Sequence, residues 1–368
     1  MSRINALNEC GQSVWLDFIS RELLTSGELE NLIGKDEVRG VTSNPSIFEQ
    51  AIAKTEQYTD AINMSASHGH NPTEILDRLI LDDIQKAADL FLARYQSTSG
   101  GDGFVSVEVN PDLAHDTDGT LKEVRRIWAD VDRPNVMIKI PATKLGIPAI
   151  QAAIAEGMNV NITLIFSLDR YAEVMDAYLS GLEMRRGSGH SIDRIASVAS
   201  FFVSRIDTAV DQALNQIRET GEYKDLSSLY GKAAIASAKL AYQKFQSTFN
   251  SPRFEKLSDY GAKVQRPLWA STSTKNPAYP DTYYVDNLIG PDTVNTLPPA
   301  TLEAFRDHGK VGRTVDKNID QAEKALEGIE QIGISLKEVT DQLEKEGVDK
   351  FAQSFHNLLR TVKLRVPS

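Results

Sequence analysis

Residues 135–143, NVMIKIPAT, read as a buried strand that carries a lysine at its end. Val136, Met137, Ile138 and Ile140 suit a strand interior, and Pro141 offers no N–H to continue a ladder. A buried ammonium is costly unless it is paired or its charge is given up for a purpose, so Lys139 calls for an explanation. Other strand-like runs end on chemistry-bearing residues too: Asp17 in VWLDF (14–18), Glu108 in FVSVEVN (104–110), Asn161 and Thr163 in VNITLIF (160–166). A lysine among acids suits imine chemistry. Its neutral amine attacks a ketone, and the iminium formed draws electrons from an adjacent C–C bond as that bond breaks. The carboxylates would move the protons that imine formation and collapse require, directly or through water.

These residues must be positioned by elements that the pattern also supplies. Apolar, β-branched runs occur at 14–18, 38–44, 104–110, 136–140, 160–166, 195–203, 264–271 and 282–289, with helical patterns between them. Eight strands alternating with helices predict a closed parallel (β/α)8 barrel, an α/β TIM barrel. A doubly wound open sheet is the alternative. Alternate side chains point to opposite faces of a strand, so Val105, Val107 and Val109 oppose Ser106 and Glu108. Val14, Leu16 and Phe18 oppose Trp15 and Asp17; Val136, Ile138 and Ile140 oppose Met137 and Lys139; Val160, Ile162 and Leu164 oppose Asn161 and Thr163. The apolar sets would face the helices and the polar sets the barrel interior. Polar side chains at the C-terminal ends of barrel strands are where such enzymes keep their chemistry.

Each residue taken singly has a plainer reading. A strand-end Asp or Asn caps the next helix, and a strand-end Lys extends to the rim or pairs with an acid. Several polar groups converging on one mouth are harder to assign to structure alone.

Residues 210–262 hold helices in excess of the repeat before the seventh strand, and 316–364 read as amphipathic helices at the C-terminus. Both are expected to pack around the barrel rim, and the C-terminal helices could also form a homo-oligomer contact. No linker divides the chain, so residues 1–368 are expected to form a single barrel domain. GGDG (100–103) and RRGSGHS (185–191) precede strands and read as turns rather than phosphate loops.

A net charge of −11 and a pI near 5.2 disfavour nonspecific binding to nucleic acid or anionic membranes. No apolar run approaches the roughly 18 residues of a membrane span, and the N-terminus lacks a signal-peptide stretch. The single cysteine, Cys10, fits a reducing compartment and reads as a packed thiol, so a cytoplasmic location is expected. His68 and His70 have no partners at metal-site spacing, and neither a metal nor a cofactor is expected.

The motifs GVTSNPS (40–46), VSVEV (105–109), MIKIPAT (137–143), NITLIFS (161–167) and SFFVSRID (200–207) resemble, in order and spacing, those of the transaldolase family. The length is similar to that of its longer bacterial-type subfamily, with no isomerase-sized segment following. The resemblance implies a cofactor-free transferase of the non-oxidative pentose phosphate pathway. It would pass a dihydroxyacetone unit from sedoheptulose 7-phosphate to glyceraldehyde 3-phosphate, giving erythrose 4-phosphate and fructose 6-phosphate. By the same resemblance Lys139 forms the Schiff base, Glu108 manages the proton-transferring water with Thr163, and Asp17 takes the proton of the C4 hydroxyl. Asn44 and Asn161 would hold the three-carbon unit, with Thr42 lining the same pocket. Ser200 and Arg205 match phosphate-binding positions, and a guanidinium suits phosphate because it donates two bonds at once. Where many relatives have a second arginine, WASTSTKNP (269–277) supplies Lys275. Related fructose 6-phosphate aldolases, which release free dihydroxyacetone, have glutamine at the position of Glu108 and tyrosine at that of Phe202. Both residues here favour transfer over release. A catalytically silent sugar-phosphate-binding protein would need neither Lys139 nor the two acids.

Overall fold

The computed structural model describes residues 2–221, 223 and 225–367. Eight parallel strands close into a barrel in sequence order: β1 (Gln12–Leu16), β2 (Gly40–Thr42), β3 (Phe104–Glu108), β4 (Val136–Pro141), β5 (Val160–Ile165), β6 (Ser197–Phe202), β7 (Arg266–Ala270) and β8 (Thr293–Leu297). Closure pairs β1 with β8 over five residues, from Gln12 opposite Thr293 to Leu16 opposite Leu297. Helices cover the outside, so both faces of the strands are enclosed and β4, β5 and β6 are buried throughout. Among the described residues no helix is long and apolar enough to cross a membrane.

The βα turns after β2 and β5 have local causes. Asn44 caps the helix Pro45–Ala53, its Oδ1 accepting from the Ile47 N–H, and Pro45 takes the first position, where a missing N–H costs nothing. Ser167 caps the helix Leu168–Gly187 in the same way. At the N-terminal end the barrel is plugged by Asp102, whose Oδ1 accepts from Ser13 at 2.7 Å and from Arg266 at 3.1 Å. Gly40 is required on β2: a Cβ there would lie 2.7 Å from the Trp15 indole and 2.9 Å from the Phe104 carbonyl oxygen.

The excess helices stand where the pattern puts them. Ser204–Thr220, Ala233–Phe249 and Pro252–Ser258 precede β7, and Ile319–Gln331 and Leu336–Arg365 follow the last barrel helix. The last of these does more than pack at the rim: it crosses the C-terminal mouth of the barrel. Its Ser354 hydroxyl lies 2.8 Å from that of Ser46, its His356 meets Asp112 at 3.0 Å, and its Glu344 meets Arg170 at 3.2 Å.

Two expectations are corrected. The eighth strand is not at 282–289, where Tyr283–Asn287 forms a short helix. The tyrosines there suit a strand by propensity, but their hydroxyls are used as anchors, Tyr283 to the Gly231 carbonyl and Tyr284 to Asp207. Asn287 also donates back to the Tyr283 carbonyl, which favours a turn. The strand is instead TVNTL at 293–297, two of whose threonines and an asparagine make it look polar. The second correction concerns Leu164. The β5–β6 register shifts between Ile162 and Ile165, and Leu164 takes φ +60°. This bulge turns it off the outer face of Val160 and Ile162 and towards Gly347 of the mouth-crossing helix.

Candidate active site

Strand register sets the site. Glu108, Lys139 and Asn161 are direct neighbours across β3, β4 and β5, and inward residues of adjacent strands stand about 4.8 Å apart. The alternation read from sequence therefore holds for all three. Lys139, Asp17, Thr42, Asn44, Ser200, Phe202, Arg205 and Lys275 line one cavity of about 150 Å³ at the C-terminal mouth. Glu108 faces a second cavity of about 370 Å³, between the barrel end and the helices after β2 and β3, which Asn44 lines as well. Asn161 and Thr163 are fully buried in the barrel below.

Lys139 is 4% exposed. Its Nζ donates to the Ser43 carbonyl at 3.2 Å and stands 3.8 Å from Glu108 Oε2, an ion-pair distance too long for a hydrogen bond. Ser43 is itself fixed, its hydroxyl donating to the Ser106 carbonyl at 2.7 Å. Neither carboxylate oxygen of Glu108 has a hydrogen-bond partner among the described residues, and the same holds for the Thr163 hydroxyl. Burial pushes the Glu108 carboxyl up to about 7; Lys139 opposes this and the Asp17 charge adds to it. At neutral pH Glu108 is therefore poised between its two protonation states, as a proton shuttle needs to be.

Asp17 sits one residue past β1, its N–H held by the Leu297 carbonyl at 2.8 Å. Burial raises its carboxyl above the usual range, while Lys139, a hydrogen bond from Thr42 and the charge of Lys275 act the other way. Thr42 Oγ1 donates to Asp17 Oδ1 at 2.7 Å and lies 2.6 Å from Thr296 Oγ1. Opposite these, Asn161 is satisfied at both ends of its amide. Its Nδ2 donates to Ser106 Oγ at 2.9 Å, and its Oδ1 accepts from Ser200 Oγ at 2.7 Å. Ser200 thus spends its proton on Asn161.

The far side of the cavity is cationic. Arg205 stands in the first turn of the helix after β6, its guanidinium 5.2 Å from the Phe202 ring, and it has no ion pair among the described residues. Burial lowers its pKa, with Glu346 opposing. Lys275, at the rim, donates to Ser273 Oγ at 2.8 Å. Partial desolvation and the positive charges of Lys350 and Arg205 lower its pKa, and Asp17 opposes them. Two cations, one lowering the other's pKa and neither in a direct ion pair among the described residues, form a site for an anion.

Sequence reasoning missed Ser43, Thr296 and Phe351, all of which touch this site. Ser43 lies inside the GVTSNPS motif but acts through its backbone carbonyl, which no side-chain pattern reports. Thr296 belongs to the strand that was placed elsewhere. Phe351, from the helix over the mouth, lines the cavity with its ring centroid 5.8 Å from Lys139 Nζ.

The family described as Transaldolase/Fructose-6-phosphate aldolase matches residues 14–362 of the chain. A "Transaldolase" of Thermobifida fusca (strain YX) is 49% identical over 362 residues, covering 98% of this chain and 97% of that one. One of Parafrankia sp. (strain EAN1pec) is 48% identical over 366 residues, 99% and 98% of the two chains. One of Trichodesmium erythraeum (strain IMS101) is 45% identical over 366 residues, 98% and 96%. With a closed eight-stranded barrel, a buried lysine beside two acids at its mouth and these matches along its whole length, the chain belongs to the transaldolase/fructose-6-phosphate aldolase family.

Proposed function

We propose that Lys139 carries the reaction of a transaldolase, forming a Schiff base with a ketose phosphate and passing its dihydroxyacetone unit to an aldose phosphate. The enzyme is a transferase of the transaldolase type, and the reaction places it in the non-oxidative pentose phosphate pathway. The observation that carries the assignment of roles is the placement of Lys139 between Glu108 and the cavity lined by Asp17.

Lys139 adds to the C2 carbonyl and loses water to give an iminium. Glu108, with a carboxyl near 7, can give and take the protons of that dehydration through a water to which the Thr163 hydroxyl would also bond. Asp17, as a carboxylate, removes the C4 hydroxyl proton; the C3–C4 electron pair moves into the iminium, and the aldehyde departs. The three-carbon enamine attacks the acceptor aldehyde, Asp17 returns the proton, and hydrolysis frees the new ketose. Thr42, by donating to Asp17, favours the carboxylate that this step needs. Asn44 and Asn161 would hold the hydroxyls of the retained unit, and Arg205 with Lys275 the phosphate, with Ser200 fixed beside them through Asn161. Sugar phosphates are thus the small-molecule partners, and a cytoplasmic location is supported by the lone, partly buried Cys10.

Incubation with fructose 6-phosphate and borohydride should leave a reduced three-carbon adduct on Lys139, found by peptide mapping. A label elsewhere, or none, overturns the assignment. Product formation should require an acceptor such as erythrose 4-phosphate; rapid free dihydroxyacetone without one would favour the aldolase reading.

A further inference from the structure

We infer that Phe351 is a specificity-determining residue: its ring covers the Schiff-base lysine and commits the bound three-carbon fragment to transfer instead of release. This rests on the Schiff-base reading given above.

After the aldehyde has left, the enamine on Lys139 has two outcomes. Its nucleophilic carbon, C3 of the donor, can attack an acceptor aldehyde, which is transfer. Alternatively that carbon takes a proton from water. The iminium so formed adds a second water at C2, the C–N bond breaks, and free dihydroxyacetone leaves with the amine restored. The hydroxide left by the first water takes the proton that the second gives up, so the route consumes one water net, the equivalent of the one released when the imine formed. Both outcomes end in hydrolysis at C2, so what separates them is access of water, as proton donor, to the nucleophilic carbon before an acceptor arrives.

The structure gives Phe351 the position to control that access. It is 3% exposed, lines the cavity with Lys139 and Asp17, and its ring centroid lies 5.8 Å from Lys139 Nζ. At that range the ring face also favours a cation at the nitrogen, as in the iminium. Asp349, about half a turn away on the same helix, is exposed, so the helix separates the cavity from solvent. The helix is held there from several sides. Ser354 meets Ser46 one turn beyond Phe351, and His356 meets Asp112. Gly347, one turn before it, lets the helix settle on Leu164 and Arg205: an added Cβ would lie 2.9 Å from Leu164 Cδ2 and 3.6 Å from an Arg205 terminal nitrogen. The bulge that places Leu164 there thus serves the same seat.

The test uses the full chain with fructose 6-phosphate. Free dihydroxyacetone formation without acceptor is measured against transfer to erythrose 4-phosphate, in the parent, Phe351→Leu and Phe351→Ala. The ratio of release to transfer should rise at least tenfold in Phe351→Ala and stay near the parent value in Phe351→Leu, which keeps an apolar cover. Loss of both rates with an unchanged ratio in Phe351→Ala would show a merely structural role and overturn the inference. If Phe351→Ala does not fold, Phe351→Val is read in its place by the same ratio. Borohydride trapping on Lys139 in each protein separates the two levels. No trapping in the parent refutes the Schiff-base reading, whereas trapping with an unchanged ratio refutes the cover alone.

Discussion

Thr296 donates its hydroxyl proton to Thr42. The two oxygens are 2.6 Å apart, and Thr42 has already given its only proton to Asp17, 2.7 Å away. Bonds in such a chain polarise one another. Thr42→Val should lower kcat about 10- to 100-fold, because the Asp17 carboxylate loses a direct donor worth roughly 1.5–3 kcal/mol. Thr296→Val should cost about threefold to tenfold with KM nearly unchanged. In both, the acid limb of the kcat–pH profile should move to higher pH, since removing support for the carboxylate raises its pKa further. An unmoved limb would dissociate Thr42 from Asp17.

Glu108→Gln should separate stability from activity. The carboxyl rises from an ordinary 4.5 to about 7 on folding, so the native state binds more protons than the unfolded one between those values. Its contribution to stability is fully present below about pH 4.5 and is lost as pH rises to about 7. The glutamine variant, which cannot ionise, should therefore gain on the parent across this window and then stay level, the full difference being roughly 3 kcal/mol at 1.36 kcal/mol per unit. Urea unfolding at pH 5 and pH 8 reads this directly. The same variant should lose at least 100-fold in kcat, together with any inflection near pH 7.

At the cationic end, Arg205→Ala should raise KM for fructose 6-phosphate about 30- to 100-fold, the loss of a charge-assisted pair of bonds. Lys275→Ala should raise it by about tenfold or less, since Lys275 is exposed and its charge is screened. Neither should change turnover of unphosphorylated fructose as donor. An equal loss with fructose would place these residues away from the phosphate.

Gly40→Ala should destabilise the barrel by about 1–3 kcal/mol, through overpacking against the Trp15 ring and the Phe104 carbonyl. The Trp15 fluorescence should change with it. Unchanged stability in urea would mean that β1 and β2 can part without cost.

Parity in the early strands was legible because period 2 leaves no choice once one face is apolar. Lys139, Glu108, Asp17 and Asn161 all take the inward direction that alternation assigns. Leu164 escapes the rule because a bulge inserts a residue into β5, and nothing in VNITLIF marks it. The eighth strand was misplaced because two tyrosines with strand propensity are used for their hydroxyls, and Thr296 was lost with it. Phe351 was hidden for a different reason. An amphipathic stripe tells that one face of a helix is covered, but not that part of the covering is a reaction cavity.

The roof of the site is made after every strand of the barrel, since β8 ends at Leu297 and the helix over the mouth begins at Leu336. Ser46 and Ser354, whose contact seats the helix over the mouth, are 308 residues apart in sequence. A nascent chain that has already emerged through β5 has its lysine and both acids but lacks Phe351, so its amine stands open to water and to any passing carbonyl compound. Synthesis from the N-terminus thus puts the cover after the barrel: all eight strands precede the helix that carries Phe351, so the barrel can close first and the cavity over Lys139 is enclosed afterwards.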